Sequence, residues 1–346
     1  MSEETAGLLE GAVPPARNPH LYGHQAAEDF LARSYRSGKG HHAILIEGPE
    51  GIGKATLAFR FANHVLSHPD PDPDPAIAPD HIADPDLNSP ISRQIATGAS
   101  HNLLHLARPV DEKTGKTKTA ITVDEVRRAG HFFSQTSGTG NWRIVIIDPA
   151  DDLNRNAANA ILKILEEPPR RALFLVLSHA PGKLLPTIRS RCQSLRLSPL
   201  GDRDLAKALA GLGMPLDGGK TEEMVLGMSK GSVSQALKLL NYGGTEIISA
   251  FEEVVAADGP TARKAMHRLA DVLSGKDSEV IFGFFLEHLS DHLIAKARNA
   301  ALAGDLPTAD RQAKLVSDMT EKITIAQAYN LDRKQTILSI LDAARR

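Results

Sequence analysis

The segment Gly48-Pro49-Glu50-Gly51-Ile52-Gly53-Lys54 has the residue types and spacing that bear most directly on chemistry. Glycines let backbone N–H groups converge on phosphate oxygens, and Lys54 is spaced to reach the terminal phosphates of a nucleotide. A plain glycine turn without ligand is the alternative, and a lysine at the right spacing favours phosphate-loop ancestry. Two partner groups are missing. The residue after the lysine, which should bring a hydroxyl to Mg²⁺, is Ala55. Thr56 follows about 100° further round the helix and is a poor substitute. A second apolar run ends on Asp148, the carboxylate that would support Mg²⁺. It is followed by Pro149, which offers no base to polarise water, and Asp151, three positions after Asp148, is misplaced for that task. Gly48, Gly51, Gly53, Lys54 and Asp148 therefore make a degenerate nucleotide site. ATP or ADP could be held there without hydrolysis, and no cofactor is required.

Other candidates are weaker. The pair Glu166-Glu167 suggests acid–base work, but adjacent side chains on a helix diverge by about 100°. Pro168-Pro169 simply stops that helix, so the pair reads as structural. His41, His42, His64, His68 and His81 match no metal-ligand spacing, and no metal site is expected. Cys192 is the one cysteine, which excludes a disulfide or a cysteine-rich zinc site, and it reads as a packing residue. Arg127, Arg128, Arg170 and Arg171 could touch nucleic-acid phosphates, but solvated charged faces explain them equally well. Segment 67–90 holds seven prolines and six aspartates in 24 residues, too many prolines for a helix or central strand. It reads as an exposed, partly extended insertion. It lacks the glycine turn and final glutamate of a calcium loop.

The elements that must position these residues follow from periodicity. Short apolar, β-branched runs at 41–47, 143–148 and 173–178 read as buried strands, and 56–66, 123–134 and 155–166 read as helices. Strands alternating with helices imply a parallel sheet covered on both faces. From about residue 202 only helices punctuated by glycine and proline remain. The 346 residues are too many for one ordinary core and suit two or three domains. With 40 Lys+Arg against 42 Asp+Glu, no bulk basic field advertises nucleic acid. At 4% aromatic residues a base-stacking platform is equally improbable. No apolar run is long enough to span a membrane, and the acidic start Met1-Ser2-Glu3-Glu4 is unlike a signal sequence. A cytoplasmic protein is expected.

Beyond Asp148, the text resembles the central block of bacterial DNA polymerase III clamp-loader AAA+ subunits. The resemblance is carried by Asn159-Ala160-Ile161-Leu162-Lys163, Leu165-Glu166-Glu167-Pro168-Pro169, Leu184-Leu185-Pro186-Thr187-Ile188-Arg189 and Ser190-Arg191-Cys192. It covers roughly residues 19–200. It implies an α/β P-loop (AAA+) domain with a parallel sheet over 1–198, with 67–90 as its insertion. A small helical lid over 199–243 and an all-α collar or oligomerisation domain over 244–346 would follow. Hydrolysing members carry Ser or Thr after the lysine, an acid after the Asp148 position, usually a four-cysteine zinc module, and an arginine at the position of Ser234. This chain departs at each, and so resembles the family's stator, or delta-prime, branch. The resemblance assigns Arg191 as an arginine finger acting on ATP held by a neighbouring subunit. Implied partners are the motor subunits (tau/gamma) and the delta subunit, with the sliding clamp and primer–template DNA met through the assembled complex. No ATPase activity of its own is expected. An ATP-hydrolysing motor is the alternative, resting on the intact Gly53-Lys54, and a small-molecule P-loop kinase fits the helical C-terminal part poorly. The apolar set Ile281, Phe282, Phe284, Phe285, Leu289 and Leu293 suits either a collar face or a private core.

Overall fold

A computed structural model describes residues 8–71, 74, 78–111, 117–134, 140–275 and 278–345. The acidic start and residues 72, 73 and 75–77 of the Pro/Asp segment lie outside the described residues. The chain forms two compact units, Met1–Ser234 and Gln235–Arg346.

Among the described residues of the first unit, five strands form one sheet: β1 (Ala43–Glu47), β2 (Leu103–Leu106), β3 (Arg143–Ile147), β4 (Ala172–Ser178) and β5 (Gln193–Arg196). All pairs are parallel, in the order β2-β3-β4-β1-β5. Around them lie α1 (Gln25–Arg36), α2 (Lys54–Ser67), α3 (Pro90–Ala96), α4 (Val123–Ser134), α5 (Arg155–Glu166) and the single turn α6 (Pro186–Arg189). Helices α7 (Asp202–Gly211) and α8 (Gly219–Ser229) complete the unit, and α9 (Val233–Asn241) straddles the division.

Alternation of side chains about the strands splits the core in two. Ile44, Ile46, Ile144, Ile146, Leu173 and Leu175 face Leu31, Leu57, Phe61 and Val65 of α1 and α2. Leu45, Val145, Ile147, Phe174 and Val176 face Val126, Ala129, Ile161 and Leu165 of α4 and α5. Both faces are covered, so β1, β3 and β4 are apolar at nearly every position and wholly buried. This is the α/β P-loop architecture of the AAA+ type expected above, followed by helices alone.

Two differences from the expectation have clear causes. Strands β2 and β5 are four-residue edge strands, only partly buried, and they exist by pairing with β3 and β1 rather than by an apolar run of their own. The described part of the Pro/Asp segment is tied down rather than free. Tyr35 Oη donates to His68 O, and Trp142 Nε1 donates to Pro69 O at 2.9 Å. Asp70 pairs with Arg171 at 2.6 Å, Asp84 with the buried Arg60 at 2.7 Å, and Ala78 and Ile82 are buried.

The second unit holds α10 (Gly244–Ala256), α11 (Gly259–Leu273), α12 (Glu279–Leu302), α13 (Leu306–Ala328) and α14 (Arg333–Arg345). The six apolar residues of α12 singled out above are all buried in the free chain. Phe285 meets Phe251 edge-on at 5.7 Å. They serve a private core, and the large apolar residues exposed on these helices are Val255, Val272, Ile294, Leu302, Leu306 and Ile325.

Candidate functional site

The phosphate loop leaves β1 at its C-terminal end and enters α2 with Gly53 as N-cap at φ 101°. Five consecutive loop carbonyls already have partners from the chain itself. Lys54 Nζ donates to Gly48 O at 2.6 Å and also to Pro49 O. Ser232 Oγ donates to Glu50 O at 2.8 Å, Val233 N to Gly51 O at 2.9 Å, and His24 Nε2 to Ile52 O at 2.6 Å. Burial holds the His24 imidazole below its ordinary pKa, so it serves as a neutral donor. Gly51, at φ 76°, is needed for the fit: a Cβ there would lie 2.6 Å from Ser234 Cβ. Ser234 is thus packed against the loop.

Lys54 is itself buried, at 4% exposure. Burial pushes its amine down to about 8, against the opposing pull of Asp148, Glu50 and Asp151. Asp148 lies behind β3 with His105 Nε2 at 3.5 Å, and the Asp148–Pro149 peptide bond is cis. Asp151, a spare acid in the sequence, accepts from Ser178 Oγ at 2.9 Å, His179 N at 2.6 Å and Ala180 N at 3.2 Å. It orders the turn after β4. Burial and the nearby Lys54 lower the pKa of His179, a neighbour of the loop that no motif marks in the sequence. Ala55 supplies no hydroxyl, and Thr56 is buried in the body of α2. The structure brings Gly48, Gly51, Gly53, Lys54 and Asp148 together, yet these groups do not fit a magnesium nucleotide. The lysine is turned into its own loop, and neither the metal hydroxyl nor the water-polarising acid is present.

Arg191 lies elsewhere. It follows α6 and precedes β5, whose Gln193 is in register with Ile44 of β1. The loop begins at Gly48, four residues on, or about 13 Å along a strand at roughly 3.3 Å per residue. Arg191 is two residues further back still, at the opposite end of the sheet. Its guanidinium is about one-third exposed; one terminal nitrogen meets Glu166 Oε1 at 2.6 Å and the other donates to Thr187 O at 2.8 Å. Cys192 beside it packs on the Phe174 side of the core, and burial pushes its thiol up to about 11. That is the chemistry of a packing residue.

His64 and His42 have structural partners. His64 is buried between Tyr35 and Phe61, with its pKa down to about 4 through burial. His42 Nε2 donates to Leu165 O at 3.0 Å. Among the described residues no three His, Cys, Asp or Glu side chains gather as a metal site. Arg127 pairs with Asp124 at 2.6 Å on an exposed helix face.

A parallel sheet in this order, with a phosphate loop after β1, defines a P-loop module of the AAA+ class. The chain belongs to the DNA polymerase III delta subunit family, whose model matches residues 23–201. It is 33% identical to the DNA polymerase III subunit delta' of Pseudomonas aeruginosa over 205 residues, 59% of this chain and 57% of that protein. It is 30% identical to the delta' subunit of Escherichia coli over 169 residues, 49% of this chain and 46% of that one. The matches thus span about half the length of these relatives. Among solved structures, a gamma subunit-related protein of Thermotoga maritima is similar at 18% identity and a TM-score of 0.40, covering 91% of this chain and 98% of that one. No described helix is long and apolar enough to cross a membrane.

Proposed function

We propose that this chain is the non-hydrolysing stator of a DNA polymerase III clamp loader and donates Arg191 to ATP held by a neighbouring motor subunit. The observation that carries this reading is the opposition of the two ends of one sheet. The phosphate loop is closed by its own chain, while Arg191 sits about one-third exposed where its own loop is out of reach. A phosphate that meets it would therefore belong to another molecule. Arginine suits that task because its always-charged planar fork can meet two phosphate oxygens at once. An arginine supplied in trans stabilises the charge that develops as the γ-phosphoryl group leaves.

In this reading α7, α8 and α9 form the lid, and α10 to α14 form the collar through which the loader assembles. The partners are the tau/gamma motor subunits and the delta subunit, with the sliding clamp and primer–template DNA engaged by the whole complex in the cytoplasm. The isolated chain should neither bind magnesium ATP measurably nor turn it over above background. Robust turnover by contaminant-free protein would favour the alternative, an ATP-hydrolysing motor built on Gly53-Lys54.

A further inference from the structure

Glu166 ends α5, and its carboxylate is half-exposed at 49% with Arg191 as its ion-pair partner at 2.6 Å. The helix does not need that acid. Its last turn is held by His42 on Leu165 O, and Pro168-Pro169 stops its continuation. A negative charge at a helix C-terminus also opposes the helix dipole, where a cation or a neutral residue would be preferred. An acid kept at an unfavourable place, and aimed at one guanidinium, points to a role played through that guanidinium.

We infer that Glu166 is the positioning residue of the arginine finger. This rests on the reading of Arg191 as a finger acting in trans. A partly exposed arginine without anchors samples many rotamers, and ordering it at the moment of reaction costs free energy that a standing contact removes. The Arg191 backbone is fixed by its N–H on Ile188 O at 3.1 Å, and Thr187 O holds one terminal nitrogen at 2.8 Å. Ser190 Oγ is a long contact at 3.5 Å. Glu166 supplies the second anchor, which turns a swinging side chain into a fixed fork. A guanidinium carries five N–H donors, and two anchors leave enough of them for a phosphate. Because α5 and β5 are built on the same sheet, the anchor and the finger keep a fixed relation.

The test uses the full chain reconstituted with its cognate clamp-loader subunits, measuring DNA- and clamp-stimulated ATP turnover. Four variants are compared: Arg191→Ala, Glu166→Ala, Glu166→Gln and the Arg191→Ala/Glu166→Ala double. We expect Glu166→Ala to lower kcat about two- to fivefold with KM for ATP unchanged, the range of an ion pair partly screened by solvent. Glu166→Gln, which keeps an acceptor oxygen at the same reach, should recover most of that loss. The double variant should equal Arg191→Ala alone, since the anchor has nothing left to hold. Wild-type or faster turnover in Glu166→Ala, alongside a slow Arg191→Ala, would overturn the positioning role and leave the finger standing. A further loss from Glu166→Ala in the Arg191→Ala background, or failure of both Glu166 variants to assemble, would make Glu166 a structural residue and likewise overturn the inference. Unchanged turnover in Arg191→Ala would remove the finger reading itself, and this inference with it.

Discussion

The phosphate-loop end and the Arg191 end of the sheet use their polar groups in opposite ways. At the loop, Lys54, His24, Ser232 and the Val233 amide all turn inward onto carbonyls, and the lysine is 4% exposed. At the other end, Arg191 is held by Glu166 and the Thr187 carbonyl and remains about one-third exposed. A buried polar network of the first kind supports folding, because each donor removed leaves a desolvated acceptor. A half-exposed ion pair of the second kind contributes little to stability and is available for a ligand. The comparison teaches that motif retention and motif use are separate matters. The lysine of the loop is bound into its own loop as a structural bolt, and the proposed chemistry rests instead on Arg191 at the other end of the sheet.

The two ends can be pulled apart by substitution. Gly51→Ala should have the largest effect on stability, roughly 2–4 kcal/mol, because it combines a left-handed backbone with a clash against Ser234. Chemical denaturation of the isolated chain would read it, and a neutral result would mean that Ser232-Val233-Ser234 does not clasp the loop. Lys54→Met should cost about 1–3 kcal/mol by stranding the Gly48 and Pro49 carbonyls, yet leave loader ATP turnover within about twofold. A large loss of turnover with little loss of stability would return the loop to nucleotide work.

Below the loop, α2 carries His64, whose pKa in the fold is down to about 4 from an ordinary 6.5. Between those values the unfolded chain binds a proton that the folded chain refuses, so stability is complete above about pH 6.5 and falls as pH drops toward 4. The loss should amount to about 1–2 kcal/mol by pH 5, and His64→Phe should flatten that slope in thermal unfolding. An unchanged slope would locate the acid sensitivity elsewhere. The smallest stability effect belongs to the other end: Arg191→Ala should shift unfolding by no more than about 0.5 kcal/mol. A cost as large as that of Lys54→Met would erase the contrast between the two ends.

Much of this arrangement is legible in the sequence, and what is not has a common cause. The central strands β1, β3 and β4 announce themselves because burial on both faces demands unbroken apolar runs, and α4 and α5 begin and end where their periodicity and flanking residues say. The edge strands β2 and β5 do not, since pairing with a neighbour defines them. Ala55 and Pro149 can be read as losses directly. The closure of the loop cannot, because His24, Ser232 and Val233 come from far away in the chain. For the same reason 67–90 reads only as an exposed, partly extended insertion. The groups that tie it down, Tyr35, Arg60, Trp142 and Arg171, are distant in sequence. Glu166 reads as a helix end until its partner, 25 positions on, is brought beside it by α6.

The central claim is that Arg191 acts on a phosphate outside its own chain. The most direct measurement is DNA- and clamp-stimulated ATP turnover by a reconstituted loader carrying Arg191→Ala or Arg191→Lys. Fingers supplied in trans are worth about 10³ to 10⁵ in rate in the best-studied GTPases. A loader with several ATP sites, only one of them facing this subunit, should lose less. The account predicts a clear fall in turnover and in clamp loading for Arg191→Ala, with Arg191→Lys only partly restored because an ammonium cannot reproduce the planar fork. Unchanged turnover and unchanged clamp loading in both variants would contradict it and leave Arg191 as an ordinary surface ion pair.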